Sequence, residues 1–242
     1  MREEANRMHG KAGWTDFYQT RSPSLSMVVL VLLGIALLQG GISYSTTFGA
    51  LDNFTPMIKR HTEVASGWLA LRGVLSLALL LLWAAKRRRR LFRTIIIVNG
   101  LFTLSLFLNM ATLVGALTRL SSKAIASLVL DVVLMAVSNI LIFSIWYWII
   151  DPPGIDETQR VDDAWDFLFP QRGAALPHYE SWVPRYTDYL YLAFTTSFAF
   201  SPTDTLPLTR RAKMLMLLQS TISIVTLTGI AGGAIGLLAG SN

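Results

Sequence analysis

Residues 189–218 read YLYLAFTTSFAFSPTDTLPLTRRAKMLMLL. An aromatic segment, Tyr186–Phe200, with Asp188 its only charge, runs into a turn-prone piece, Ser201–Pro207. A long apolar helix follows, opened by Thr209, Arg210 and Arg211. A helix needs about 20 apolar residues to cross a bilayer. Tyr186–Phe200 has only 15. It therefore reads as re-entrant or interfacial, and this half-length segment beside a full span sets the architecture of the C-terminal half.

Working outward, the chain of 242 residues is 52% hydrophobic and only 15% charged, against about 25% charged in soluble domains. The apolar residues fall in long runs, which define an integral membrane protein. Five are long enough to span: Leu25–Ile42, Gly67–Ala85, Ile95–Leu117, Ala124–Ile150 and Met214–Leu238. The expected fold is all-α, with five transmembrane helices and a re-entrant, pore-type helix between the fourth and fifth. A polar segment (1–23) precedes three peripheral helices (24–123). The pore-like unit (124–242) holds an outer helix (124–150), a loop (151–185), a re-entrant helix with a filter-like loop (186–207) and an inner helix (208–239). The polar start, with no clear cleavage site after the first span, argues against a signal peptide.

The absence of cysteine excludes disulfides, thiolate metal sites and cysteine nucleophiles. His9, His61 and His178 are far apart, and no HExxH, GxSxG or glycine-rich phosphate loop occurs. No enzyme, metal or cofactor is expected. The net charge of +6 reads as membrane orientation, not nucleic-acid binding.

Sixteen of the 21 Lys and Arg residues fall on one side of the predicted topology. They include Arg2, Arg7, Lys11 and Arg21, the link Lys86–Arg90 with Arg93, and Arg160, Arg172, Arg185, Arg210, Arg211 and Lys213. Lys59, Arg60, Arg119 and Lys123 fall on the other, and Arg72 lies inside the second span. The positive-inside rule places the N-terminus and the re-entrant segment in the cytoplasm of a cell-membrane protein. The KRRRR run has a second reading as a binder of anionic lipid or polyphosphate.

The segment FTTSFAFSPTDTLPLTRRAKMLMLLQ resembles the pore region of tetrameric potassium channels. Their pattern is a short aromatic helix, a TT pair, a filter ending in Asp, then Pro, Thr and a basic residue opening the inner helix. Thr195, Thr196, Asp204, Pro207, Thr209 and Lys213 stand here in that order, and Gln219 occupies a place where many such channels have a glutamate. The resemblance covers Tyr186–Leu238 and implies a homotetramer conducting an inorganic ion. The filter itself departs from the pattern. Thr195, Thr196, Ser197, Phe198, Ala199, Phe200, Ser201, Thr203 and Asp204 form a filter-like loop without glycine. Potassium filters use glycine to reach angles that Phe198, Ala199 and Phe200 resist, so potassium selectivity does not carry over. The resemblance implies entry of the loop from outside, whereas the charge count puts it inside. We follow the charge count.

The chain is also similar to uncharacterised bacterial multi-pass membrane proteins. The match lies at Asp151–Gly154, Trp182, Pro184, Tyr186, Asp188–Thr195 and Ser201–Thr209, and it implies no activity.

Gln219, Ser223, Thr226 and Gly233 share one face of the last span. They read either as pore-lining residues or as packing residues. Gly232, Gly236 and Gly240 form a small-residue stripe, fitting contact within the chain or between copies. Arg72, Asn109 and Asp131 fall at similar depth in three spans, and ionisable groups there are costly unless paired. We expect Arg72 to pair with Asp131, with Asn109 nearby, and Asn99 and Asn139 to bond between helices. The acids Asp151, Asp156, Glu157, Asp162, Asp163 and Asp166 read either as a plain solvated face or as a means of concentrating cations near a pore mouth. Two alternatives to a channel stand: a non-conducting membrane scaffold, with Phe198 and Phe200 plugging the axis, and a secondary transporter. A transporter usually carries internal repeats, and no second copy of the TT…D…P segment occurs.

Overall fold

A computed structural model of the chain describes residues 22–48, 55–117, 125–151, 165–173, 182–199 and 204–239. Among these residues it holds seven helices and a two-stranded sheet. The helices are α1 (Ser22–Phe48), α2 (Thr55–Ala84), α3 (Arg88–Leu117), α4 (Ile125–Ile150), α5 (Pro170–Gly173), α6 (Tyr186–Ala199) and α7 (Arg210–Ala239). Strand β1 (Phe167–Leu168) pairs antiparallel with β2 (Leu206–Pro207), Phe167 opposite Pro207.

Among the described residues four stretches are long and apolar enough to cross a membrane: Ser24–Ile42, Arg88–Ala111, Leu130–Ile150 and Arg210–Gly229. The chain is a multi-pass membrane protein. The second expected span, Gly67–Ala85, falls in α2, whose described apolar stretch is Ala70–Ala84.

Helix α4 is the hub. It packs against α7, α1, α6 and α3, while α1, α2 and α3 also contact one another. Its buried face carries Phe143, Tyr147 and Trp148. Trp148 meets Phe92 of α3 with ring centroids 5.8 Å apart, and Tyr147 meets Phe167 edge-on at 5.1 Å.

Four contacts fix the directions of the helices. The Trp83 indole donates to the Ser26 hydroxyl at 3.2 Å, so the end of α2 lies beside the start of α1. The Phe92–Trp148 contact sets the start of α3 beside the end of α4. An Arg211 guanidinium nitrogen lies 3.4 Å from the Ile150 carbonyl, which puts the start of α7 at the same end. Tyr189 of α6 donates to Asp151 there too, at 2.6 Å. Helices α6 and α7 therefore leave the same end in the same direction. The chain must come back between them, and it does so by β2, which pairs with β1 at that end.

Local chemistry explains the boundaries. The turn between α2 and α3 is a Schellman motif. Arg87 N–H reaches the Leu82 carbonyl at 3.2 Å and Lys86 N–H reaches the Trp83 carbonyl at 3.0 Å. Lys86 takes the left-handed position, φ 52°, where glycine is favoured. Helix α6 opens with Asp188 accepting from the Arg185 N–H at 2.6 Å, the backward half of a capping box. Thr209 caps α7 by accepting from the Ala212 N–H at 3.2 Å.

Candidate functional site

Two polar centres hold α6 against α4 and α7. The lower one is built around Gln219, fully buried on α7. Its amide nitrogen donates to the Ala193 carbonyl and the Ser197 hydroxyl, each at 2.7 Å. Its amide oxygen accepts from the Tyr147 hydroxyl of α4. Thr196, buried in the same turn of α6, donates its hydroxyl to the Leu192 carbonyl at 2.7 Å. One turn further along α7, Asn139 of α4 donates to the Ser223 hydroxyl at 2.9 Å and to the Gln219 carbonyl at 3.3 Å. One side chain thus ties three helices together, with its donors and its acceptor all used.

The upper centre caps this assembly. Asp151, at the end of α4, is fully buried. One carboxylate oxygen accepts from the backbone N–H groups of Asp166 and Phe167 at 2.9 and 3.1 Å. The other accepts from Arg172 at 3.1 Å and Tyr189 at 2.6 Å. Arg172 also lies over the Trp165 ring, 4.7 Å from its centroid. Asp166, likewise buried, receives a bidentate pair from Arg211 at 2.7 and 2.5 Å and the Thr209 hydroxyl. The Leu208 N–H reaches the Asp166 carbonyl at 2.9 Å. The two aspartates thus fasten the segment 165–173 across the starts of α6 and α7. They are structural anchors with cationic partners, not members of a solvated acidic face. Asp156, Glu157, Asp162 and Asp163 lie outside the described residues.

Between these centres α6 descends only part of the way along α4. Gln219 is nine residues past the start of α7, which at 1.5 Å per residue is about 14 Å from the cap. That is near half of a ~30 Å hydrocarbon core. Ser197, in the last turn of α6, lies at this level because it bonds Gln219. The end of α6 faces an apolar groove of about 400 Å³, including the open space at its mouth. Its walls are Ala136 and Ile140 of α4, Ser197 and Phe198 of α6, and Ser223, Thr226 and Leu227 of α7.

The structure redistributes the sequence-derived residues. Thr195, Thr196, Ser197, Phe198 and Ala199 belong to α6, which continues past the TT pair where a loop was expected to open. Thr195 and Thr196 bond carbonyls three or four residues back, within the helix. Phe198 is 61% exposed and stacks on Phe194 at 4.8 Å. Asp204 is exposed. Phe200, Ser201 and Thr203 lie outside the described residues.

Gln219, Ser223 and Thr226 are buried inside the chain. Gln219 and Ser223 find on α4 and α6 the partners that polar groups need in an apolar environment, while Thr226 donates to the Ile222 and Ser223 carbonyls of its own helix. The exposed face of α7 carries Leu217, Thr221, Ile224 and Thr228 instead. Gly233 lies on α7, beyond the residues whose side chains are described.

Arg72 and Asp131 are buried, and Asn109 is half-buried. Arg72 donates to the Gln39 carbonyl at 3.0 Å and the Ser105 hydroxyl at 2.6 Å. Gln39 in turn donates to the Phe102 carbonyl at 3.0 Å. The sequence reading missed Gln39 and Ser105, since a lone Gln or Ser in a span carries no pairing signal. The two expected interhelical asparagines are present: Asn99 donates to the Ile142 carbonyl at 3.2 Å, and Asn139 bonds α7.

Comparison of the chain with protein-family models, curated proteins and solved structures finds no match.

Proposed function

We propose that this protein is a cell-membrane ion channel in which α4, α6 and α7 form the pore unit of a homo-oligomer. The observation that carries this reading is the course of α6. It starts at the same end as α7, runs in the same direction, and stops beside Gln219 at about half the bilayer depth. A helix end at that depth is tolerated only where protein covers it or water lines it. A shared axis between copies supplies both. The resemblance to tetrameric potassium channels sets the number of copies at four and an inorganic ion as cargo. The sequence between Ala199 and Asp204 carries no glycine, which fits a filter of a non-potassium type.

Five crossings, with α2 completing the set, bring the cationic end and the N-terminus to the cytoplasm by the positive-inside rule. The pore unit is then inverted relative to ordinary potassium channels. The exposed stripe Thr221, Ile224 and Thr228 is the face of α7 available to line the axis. Within the periphery, Arg72 and Asp131 form a buried ion pair that holds α2 and α4 in register.

Flux from purified protein in liposomes, with potassium, sodium and chloride gradients imposed separately, tests the channel. Rapid dissipation of one gradient supports it. A second reading rests on the exposed Phe194–Phe198 stack. If those rings meet on the axis, the oligomer is a non-conducting scaffold, and folded oligomer then passes no ion.

A further inference from the structure

We infer that the cationic end of the bundle, centred on Lys86–Arg93, is a docking surface for the phosphate headgroups of anionic phospholipids. The inference is independent of the pore reading. Lys86, Arg87, Arg88, Arg89, Arg90 and Arg93 are all exposed. Residues 85–117 contain no Asp or Glu. Among the described residues none of these six cations makes an ion pair, whereas Arg172 and Arg211 are taken up by Asp151 and Asp166. The helix directions bring Arg185, Arg210 and Lys213, also exposed, to the same end.

Charge alone would serve as an orientation signal. Two features of the backbone ask for more. Lys86 holds a left-handed position, φ 52°, where glycine would sit without strain. Three arginines occupy the first turn of α3, the end of a helix where cations are disfavoured. Both arrangements cost stability: the first keeps a cation where glycine would be cheaper, and the second is offset by a phosphate at the start of α3, which answers the helix dipole and the arginines together. The cations are therefore placed where they oppose the local fold and serve an anion instead.

The level of the patch selects a lipid over a soluble polyanion. The span of α3 begins at Arg88 and the apolar stretch of α2 ends at Ala84, so the cations lie at headgroup height. Trp83, half-exposed, sits at the depth of an interfacial aromatic. Below it Leu80, Leu81 and Ile97 are exposed and offer an apolar wall to acyl chains. One molecule carrying a phosphate above and hydrocarbon below matches both tiers. A polyphosphate or a nucleic acid matches only the upper one.

The test uses full-length protein in neutral detergent, titrated with dioctanoyl phosphatidylglycerol, dioctanoyl phosphatidylcholine or inorganic polyphosphate. Thermal unfolding and binding are followed together. Phosphatidylglycerol is expected to raise the unfolding midpoint saturably and phosphatidylcholine to leave it unchanged. Each juxtamembrane cation is worth roughly fivefold in affinity. A variant with Arg87, Arg88, Arg89 and Arg90 all changed to Gln is therefore expected to bind phosphatidylglycerol at least tenfold more weakly. Lys86→Gly should unfold at a higher temperature without lipid and bind phosphatidylglycerol severalfold more weakly, an opposition that a merely structural role would not produce. If the fourfold variant does not fold, Lys86→Gly and Arg93→Gln decide the matter. Unchanged phosphatidylglycerol affinity in the variants, or an equal response to phosphatidylcholine, overturns the inference. Binding of polyphosphate with no effect of phosphatidylglycerol overturns it in favour of a soluble polyanion.

Discussion

Gln219 of α7 donates to the Ser197 hydroxyl of α6 at 2.7 Å, and the same nitrogen donates to the Ala193 carbonyl at 2.7 Å. This contact sets the depth at which the short helix is held. Gln219→Leu keeps the volume but leaves the Tyr147 hydroxyl, the Ser197 hydroxyl and the Ala193 carbonyl short of a partner. The expected cost is about 1–3 kcal/mol, read as a lowered unfolding midpoint in detergent. An unchanged midpoint would show that α6 is held by packing alone.

The two cap aspartates should differ in their response to removal. Arg172, the partner of Asp151, has a side chain only 3% exposed, whereas Arg211, the partner of Asp166, is 61% exposed. Asp151→Ala strands a buried guanidinium, for which about 3–5 kcal/mol is the usual cost. Asp166→Ala releases Arg211 to water and costs less. Equal destabilisation of the two variants would contradict this account.

Arg72 and Asp131 are expected to couple. Arg72→Ala should lower the yield of folded protein, and adding Asp131→Ala should recover part of the loss. Strict additivity of the two defects rules out a direct interaction between them. Ser105→Ala, which removes one acceptor of Arg72, should cost about 1 kcal/mol.

A chain without cysteine permits accessibility scanning on a clean background. Single cysteines at Thr221, Ile224 and Thr228 should react with a water-soluble thiol reagent in the reconstituted oligomer, and one at Ser223 should not. Reaction at Ser223 alone would return the lining role to the buried face. Asp204→Asn is expected to change conductance or ion preference, and normal currents from this variant would remove Asp204 from the filter.

Lys86→Gly relieves a left-handed backbone at a position where a side chain costs roughly 1 kcal/mol. Part of that gain is offset by the freer unfolded chain. The expected net change is a stabilisation of a few tenths of a kcal/mol up to about 1 kcal/mol, measured by denaturation without lipid.

Several features follow from local composition. Long apolar runs locate α1, α3, α4 and α7, because the bilayer sets both their length and their polarity. The shortness of Tyr186–Phe200 announces a helix that does not cross, and Asn99 and Asn139 announce interhelical bonds, since an amide in a span needs a partner. The cationic end is equally visible, as charge bias is a property of the chain before it folds.

Other features belong to the assembled bundle. That α6 and α7 point the same way depends on the pairing of β1 with β2, two residues each, which no periodicity reveals. Helical spacing places Gln219, Ser223 and Thr226 on one face but does not say whether that face turns inward. The answer lies with Tyr147, Asn139 and Ser197, on helices 22 to 84 positions away. The same holds for Asp151 and Asp166. In the sequence they belong to an acidic loop, and only the arrival of Arg172, Tyr189 and Arg211 makes them anchors. Burial of a charge is decided by its neighbours in space, and those neighbours are brought together by the packing of α4, α6 and α7.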